Sequence, residues 1–221
     1  MFILSKFESI RFPFPDLKIE SVLRSQGYRK KHKVRLVIRK AASESIKKLR
    51  DSAAPQGFFL FEKIKTLEVN KLKMNSGVEF NCPVFENMLN GSTHLISFVI
   101  TLGKEVDEKI RSHAGDADEP LANLFLETAA RLCLELVIRQ ARIKLTEFSR
   151  LNEMVLGKRM APGYSYKEKI TNNRVMWDLN EQANLFKMFR GFEIPVKLME
   201  SSTMIPRMSR SGIFGLRGID K

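Results

Sequence analysis

The chain has 221 residues, and its 38 lysines and arginines exceed its 25 aspartates and glutamates, which gives a net charge of +13. Because 43% of the residues are apolar and 16 are phenylalanine, the chain can bury a sizeable core, and disorder along its whole length is excluded. Two cysteines, Cys82 and Cys133, are too few for a disulfide framework or a four-thiolate zinc site. We therefore expect a single domain over residues 1–221 in the reducing cytoplasm.

The sequence predicts neither a membrane-spanning segment nor a metal site. No run of about 18 apolar residues occurs, so no segment is predicted to span a membrane. The N-terminal segment meets Glu8 too early for a signal peptide. Three dispersed histidines, without carboxylates at ligand spacing, predict no metal site.

Local patterns in the first third of the sequence predict helices and strands. Residues 1–18 form an extended lead-in, and a short helix over 19–24 follows. Apolar residues recur at three- and four-residue spacing over 34–49, which predicts one face of a helix. The members of this face are Val34, Val37, Ile38, Ala41, Ala42, Ile46 and Leu49. Residues 57–69 are rich in Phe and β-branched side chains and predict a strand, and residues 71–80 predict another, interrupted by Asn75-Ser76-Gly77.

The densest basic run extends from Arg29 to Lys40 and continues to Arg50. Its charges lie on the solvated side of the predicted helix and in the loop before it, so the run is a solvated face, a surface that docks a protein partner, or a nucleic-acid site. No aromatic residues interleave it, as stacking on single strands requires. No zinc-finger, P-loop or RNA-recognition signature occurs either. We therefore expect no nucleic-acid partner.

The middle of the chain predicts a buried strand and a long buried helix. After a short helix over 84–89, the strand at 93–101 has apolar residues on both faces and is expected in the middle of a sheet. One face carries His94, Ile96, Phe98 and Ile100, and the other carries Leu95 and Val99. Residues 104–111 are expected to be helical, and 121–148 form the longest helix, with Cys133 as an inert core thiol.

Two acids, Glu127 and Glu135, stand out in the long predicted helix. A carboxylate in a mostly apolar helix needs a partner or a ligand, unless it lies on an exposed flank. Farther on, residues 157–164 predict a compact loop in which Pro and Gly fix the backbone. An amphipathic helix that holds Trp177 and a strand over 194–198 follow. Together the elements predict an α+β fold with a central twisted, mainly antiparallel sheet packed with helices.

The loop sequence Arg159-x-Ala161-Pro162-Gly163-Tyr164 resembles the Arg-x-(Ala/Ser)-Pro-Gly-Tyr loop of the activation, or reactivation, domain of vitamin B12-dependent methionine synthase, in its short stand-alone form. A downstream run supports the resemblance, and Gly27-Tyr28 and Thr101-Leu102-Gly103 support it more weakly. That run is Leu198-x-Glu200-Ser201-x-x-Met204-x-Pro206-x-x-Ser209-x-Ser211-Gly212. The resemblance covers most of the chain from about residue 20 and implies the same α+β architecture.

The resemblance also implies a function. In that family, cobalamin that has decayed to inactive cob(II)alamin is restored to methylcobalamin by one electron, typically from flavodoxin, and a methyl group from S-adenosylmethionine. The activation domain supplies S-adenosylmethionine and caps the cobalamin domain. We therefore expect a module that binds S-adenosylmethionine, acts on a cobalamin-carrying methionine synthase or related corrinoid protein, and is inactive without it.

Carried over by position, the resemblance implies a set of site residues. Arg159 matches the arginine that contacts the ligand carboxylate, and Ala161, Gly163 and Tyr164 match the loop that borders the ligand. A guanidinium pairs two donors with two carboxylate oxygens, and small residues let the main chain approach closely. Glu153 and Glu127 match two acids of the family. Carboxylates suit a ligand that carries an ammonium and a sulfonium group.

Alternatives stay open for these residues. The Ala161–Tyr164 loop is otherwise a structural turn, and Glu200-Ser201 and the Ser209-x-Ser211-Gly212 run lie beside the site or in the core. The family's domain continues into a tyrosine-bearing segment, whereas nine residues without tyrosine follow Gly212 here. This favours an alternative function, a non-enzymatic docking or cap protein for a corrinoid protein that has lost S-adenosylmethionine binding.

The family resemblance also implies a role for the basic run from Arg29 to Arg50. It is expected to dock on acidic proteins, either flavodoxin or the cobalamin-carrying partner, by electrostatic steering. Reversing Lys30, Lys31 and Lys33 to Glu is expected to slow partner association at low salt without changing S-adenosylmethionine affinity.

Overall fold

The computed structural model describes residues 6–29, 34–114, 120–168 and 172–219. The described strands are β1 (Lys6–Arg11), β2 (Gln56–Leu67), β3 (Lys71–Met74), β4 (Glu79–Asn81), β5 (Ser92–Thr101), β6 (Met154–Met160), β7 (Ser165–Lys167), β8 (Arg174–Met176), β9 (Lys197–Leu198), β10 (Met204–Ile205) and β11 (Ser209–Gly218). The described helices are α1 (Ile19–Ser25), α2 (Leu36–Ser52), α3 (Phe85–Leu89), α4 (Lys104–Ala114), α5 (Pro120–Leu151) and α6 (Gln182–Met188), with a 3-10 turn at Leu179–Glu181.

Seven strands form one sheet in the order β4-β3-β2-β5-β11-β6, and β1 also pairs with β2. Every pairing in this sheet is antiparallel. β5 and β11 occupy the centre and β6 an edge, while β7–β8 and β9–β10 form two small hairpins. The predicted α+β class with a mainly antiparallel sheet is confirmed.

Each face of the sheet packs against its own core. One core, here called the helical-face core, joins the sheet to α1, α2, α4 and α5 through side chains such as Phe98 and Phe214. The second core lies on the opposite face against α3 and α6, and contains Trp177. Alternation along β5 explains the division, since Ile96, Phe98 and Ile100 belong to the first core, and Leu95 and Val99 to the second.

Several predicted elements are confirmed with shifted ends. β5 lies between β2 and β11, as expected for a strand with two apolar faces. The long helix, the helix after residue 104 and the strand after residue 57 are present as α5, α4 and β2. Burial raises the pKa of the Cys133 thiol to about 12, which fits an inert core side chain.

Other predictions are wrong or lie outside the described residues. The lead-in contains β1, which pairs with the first half of β2. Val37, expected on the buried face of α2, is 62% exposed. His94, expected to point into the core, is only half-buried. The basic residues at 30–33 lie outside the described ranges.

The C-terminal third departs most from prediction. Residues 157–160, predicted as loop, belong to β6, and Trp177, predicted within a helix, precedes the 3-10 turn. The predicted strand over 194–198 is reduced to the two residues of β9, whereas β11 was not predicted.

Candidate functional site

A β-bulge in β6 aims Arg159 at the helical face of the sheet. Leu156 pairs with Leu216 and Arg159 pairs with Phe214, so three steps along β6 match two along β11. In a regular strand Leu156 and Arg159 would face opposite sides, but the extra residue turns both to the same side. Phe214 and Leu216 belong to the helical-face core, which places the Arg159 side chain toward α5.

Arg159 meets a carboxylate there. Its Nη1 donates a hydrogen bond to Oε2 of Glu135 on α5 over 3.1 Å. Arg210 of β11 approaches the other oxygen of the same carboxylate, with 4.0 Å between its Nε and Oε1. The three side chains, here called the Arg-Glu-Arg cluster, are partly exposed, at 29% for Arg159, 42% for Glu135 and 34% for Arg210. Glu135, flagged in the sequence as an acid that needs a partner, therefore has one.

The Ala161–Tyr164 loop directly follows β6 and is held by hydrogen bonds. The Tyr166 hydroxyl accepts from the Ala161 amide over 2.6 Å and donates to the Ala161 carbonyl over 3.2 Å. Burial raises the pKa of Tyr166, which keeps the hydroxyl protonated so that it can do both. The Gly163 amide donates to the Trp177 carbonyl over 2.7 Å, and the Trp177 amide to the Tyr164 carbonyl over 3.0 Å.

Glycine is required at position 163. Its φ is +82°, a conformation that side chains rarely adopt, and a Cβ there would lie 3.1 Å from a methyl carbon of Leu179. Ala161 and Pro162, the first two residues of the loop, are buried, whereas Gly163 and Tyr164 are exposed. The loop is therefore a rigid turn that presents the Gly163 backbone and the Tyr164 ring to solvent, one residue beyond the strand that carries Arg159.

Glu127 lies on the same helix as Glu135 but about 12 Å nearer its N-terminus, since eight residues rise by about 1.5 Å each. It is half-buried. Near it, Gln26 donates to the hydroxyl of Thr128, and the Tyr28 ring stacks on Phe125 with centroids 6.5 Å apart. The structure thus packs the Gly27-Tyr28 motif against the turn of α5 that contains Glu127.

Glu153 lies at the opposite end of β6 from Arg159. Six strand residues at about 3.3 Å each separate the two by roughly 20 Å. Glu153 is exposed, and its φ of +56° places it in the turn from α5 to β6. The structure does not bring its carboxylate to the Ala161–Tyr164 loop.

The Ser209-x-Ser211-Gly212 run falls mostly in the core. Ser209 is fully buried and donates to the Pro206 carbonyl over 2.7 Å, and its hydroxyl lies 2.9 Å from that of Thr101. A Cβ on Gly212 would lie 2.5 Å from the Met160 carbonyl oxygen, so only glycine fits. Glu200 and Ser201 instead lie in the exposed turn between β9 and β10.

Arg210 is the residue that sequence reasoning missed. It occupies the unspecified position between Ser209 and Ser211, where the family pattern gives no signal. An arginine between two buried serines in a glycine-containing run is itself a clue, because a charge beside a core strand needs a partner.

The Arg-Glu-Arg cluster and the Gly163-Tyr164 end of the loop lie at the surface, and a cleft lies elsewhere. That cleft, of about 750 Å³, is bounded by β2, the β3–β4 turn and α6, and no predicted site residue lines it. Within the described ranges, no three His, Cys, Asp or Glu side chains are grouped as metal ligands would be. None of the described helices is both long enough and apolar enough to cross a membrane.

No family model matches the chain, and no curated protein matches it either. Among solved structures, one described as the MetH reactivation domain bound to AdoHcy superposes with a TM-score of 0.66 and 14% identity. The match covers 98% of this chain and 80% of the other. This chain has the fold of the MetH reactivation domain. Within that fold, Arg159 of the Arg-Glu-Arg cluster lies on the edge strand β6, and the Ala161–Tyr164 loop follows the same strand.

Proposed function

We propose that the chain is a reactivation module that binds S-adenosylmethionine and supports reductive methylation of cob(II)alamin on a cobalamin-dependent methionine synthase or a related corrinoid methyltransferase. One observation carries the proposal: a bulge turns the Arg159 guanidinium to a partly exposed position, and the braced Ala161–Tyr164 loop directly follows the same strand. The fold of the MetH reactivation domain supports it, since that domain was solved with AdoHcy.

The residues of the chain would act by binding and orientation. S-adenosylmethionine supplies an electrophilic methyl group on its sulfonium sulfur. Arg159 binds the ligand carboxylate, and the Tyr164 ring and the Gly163 backbone border the rest of the ligand. The rigidity of the loop lowers the entropy that is lost when the methyl group is held in line with a nucleophile on the partner protein.

Three glutamates, Glu135, Glu127 and Glu153, have different roles in this proposal. Glu135 lies within hydrogen-bond distance of Arg159 and orients it. Glu127, on the same helix, is proposed to favour the positive charge of the ligand from a distance. The contact of Glu153 with the ligand stays a prediction, and its separation from the loop argues against direct contact.

Calorimetry with S-adenosylmethionine tests the binding step. Arg159→Met is expected to weaken binding at least tenfold, because a charge-assisted hydrogen bond contributes about 1.5–3 kcal/mol. Lys158→Met, which removes the same charge from the exposed neighbouring position, is the matched control and should change affinity less than about twofold. If the wild-type chain binds no S-adenosylmethionine, or Arg159→Met binds as well as wild type, the proposal fails.

The partner step has its own test. A methionine synthase without its own activation domain would be converted to the cob(II)alamin form and supplied with reduced flavodoxin and S-adenosylmethionine. Activity is expected to return only when this chain is added. An unchanged recovery with and without the chain would refute the reactivation role while leaving the binding step intact.

A second function is favoured by one observation. The Ala161, Gly163 and Tyr164 amides donate to the Tyr166 hydroxyl, the Trp177 carbonyl and the Ala161 carbonyl, so these donors are already used without a ligand. A docking or cap protein for a corrinoid protein needs no such donors. Retention of a purified corrinoid protein by this chain, together with no heat of S-adenosylmethionine binding, would favour this alternative.

A further inference from the structure

Two guanidinium groups share one carboxylate in the Arg-Glu-Arg cluster, which leaves the cluster with one uncompensated positive charge. Oε2 of Glu135 is 3.1 Å from Nη1 of Arg159, and Oε1 is 4.0 Å from Nε of Arg210. The two guanidinium groups together have about ten N–H donors, whereas one carboxylate offers about four acceptor sites. The cluster therefore retains both charge and donors for a second anion.

The Nε of Arg210 is the clearest unused donor. It is buried, and no atom of the described residues accepts a hydrogen bond from it. Its nearest ion-pair partner, Oε1 of Glu135, lies 4.0 Å away, beyond hydrogen-bond distance, so the charge of this partly exposed guanidinium is incompletely compensated and would be stabilised by an added anion.

Arg210 is also held firmly in place. Its Nη1 donates to the Ser209 carbonyl over 3.0 Å. Ser209 is itself fixed through Thr101 and Pro206, and the preceding amides of Arg207 and Met208 donate to the buried Asp107 carboxylate. A guanidinium that is positioned before the ligand arrives loses less entropy on binding.

The surrounding charge has the same sign. Arg131 and Arg139 lie one turn before and one turn after Glu135 on α5, and both are exposed. Residues four apart on a helix are neighbours, so the carboxylate is flanked by cations along the helix as well as across the sheet. The local potential therefore favours an incoming anion.

We infer that Arg210 and Arg159 together form a carboxylate-binding subsite, in which Glu135 holds the two guanidinium groups side by side and the carboxylate of an adenosyl amino acid is bound by both. This inference rests on the proposed function and adds a residue, Arg210, to its ligand contacts. A two-arginine subsite would make the carboxylate a requirement for tight binding.

Two ligands that differ only in the carboxylate test the inference. Calorimetry would compare S-adenosylhomocysteine with its decarboxylated analogue, 5′-(3-aminopropylthio)-5′-deoxyadenosine, on wild type and on Arg210→Met. The variant is expected to bind S-adenosylhomocysteine about tenfold more weakly and the analogue within about twofold of wild type. Arg217→Met, which removes the same charge from the exposed end of the same strand, should alter neither affinity.

The outcomes separate the two proposals. Equal weakening of both ligands by Arg210→Met, or no weakening of either, would overturn the subsite while leaving S-adenosylmethionine binding in place. Failure of the wild-type chain to bind either ligand would instead refute the proposed function, and the subsite with it. If Arg210→Met does not fold, Arg210→Lys keeps the charge without the planar fork, and it should still weaken only the ligand that carries the carboxylate.

Discussion

The two ends of β6 carry Glu153 and Arg159, which the family resemblance assigned to one site, yet the two ends are built differently. At one end, Glu153 lies in an exposed turn, where its carbonyl accepts from the Ile219 amide over 3.1 Å. At the other, Arg159 is placed by a bulge against β11, by a carboxylate of α5 and by the braced loop that follows.

The comparison shows that nearness in sequence is a poor guide to a shared site on a strand. Six residues of extended chain carry Glu153 roughly 20 Å from Arg159. A residue much farther along the chain, Arg210, instead reaches the carboxylate that Arg159 contacts. Four substitutions test this difference, from the largest expected effect to the smallest.

Trp177→Ala should damage the Arg159 end most. Trp177 is fully buried against the edges of Phe80 and Phe85, with ring centroids 6.0 and 5.2 Å away, and its backbone holds the loop. Loss of a large buried aromatic side chain should lower the free energy of unfolding by about 3–5 kcal/mol, measured by urea denaturation. The exposed neighbour Met176→Ala is the control, with an expected change below about 0.5 kcal/mol. A similar loss in both variants would contradict the bracing role.

Asp107→Ala should loosen the segment that leads to Arg210. The Asp107 carboxylate accepts from the amides of Arg207 and Met208, and its removal leaves both donors without their partner. The expected loss is about 1–3 kcal/mol in the free energy of unfolding, together with weaker S-adenosylhomocysteine binding in calorimetry. Glu108→Ala, at an exposed position of the same helix, should change neither quantity appreciably. Unchanged stability in Asp107→Ala would show that these bonds contribute little.

Glu153→Gly should change the backbone stability at its end of β6 without changing the affinity for the ligand. Because Glu153 has a φ of +56°, glycine relieves a conformational cost there and should stabilise the chain by about 0.5 kcal/mol in thermal or urea unfolding. S-adenosylhomocysteine affinity should stay within about twofold of wild type. Glu153→Gln, which removes the charge and keeps the side chain, should leave both stability and affinity unchanged. A tenfold loss of affinity in either variant would place this end of β6 in the site.

His94→Gln should give the smallest effect, on the pH dependence of stability. His94 of β5 and Leu156 of β6 both pair with Leu216 of β11. His94 therefore lies level with the third residue of β6, nearer the Glu153 end than the Arg159 end. Burial, and then the nearby Lys63, lower its pKa below the usual value. As the pH falls, the unfolded chain therefore takes up a proton before the folded chain does. The free energy of unfolding is fully retained above about pH 6.5 and decreases as the pH falls through the folded-state pKa of His94.

Urea denaturation between about pH 7.5 and about pH 5 measures this effect. Wild type should lose slightly more stability than His94→Gln over that range. Equal losses would show that His94 does not contribute. Ligand affinity should respond to pH equally in the two proteins, because His94 lies away from the Arg-Glu-Arg cluster.

Sequence patterns predicted the helices and strands in which apolar residues recur over many turns or alternate regularly between faces. α5 has enough apolar residues to be recognised as a long buried helix, and β5 has two apolar faces because it lies between β2 and β11. β11 escaped prediction although it is equally central. Its serines and glycines have low strand propensity, and they are present because neighbours approach closely, as Met160 approaches Gly212.

The sequence by itself therefore determined the α+β class, the buried helix and strand, and the Ala161–Tyr164 loop, whose resemblance to the family's loop implied an adenosyl ligand. The tertiary structure decided which side chains meet there. It separated Glu153 from Arg159 along an extended strand, turned Arg159 toward α5 through a bulge, and brought Glu135 and Arg210 to the same place. These outcomes depend on strand pairing and register between distant segments, which local periodicity does not encode.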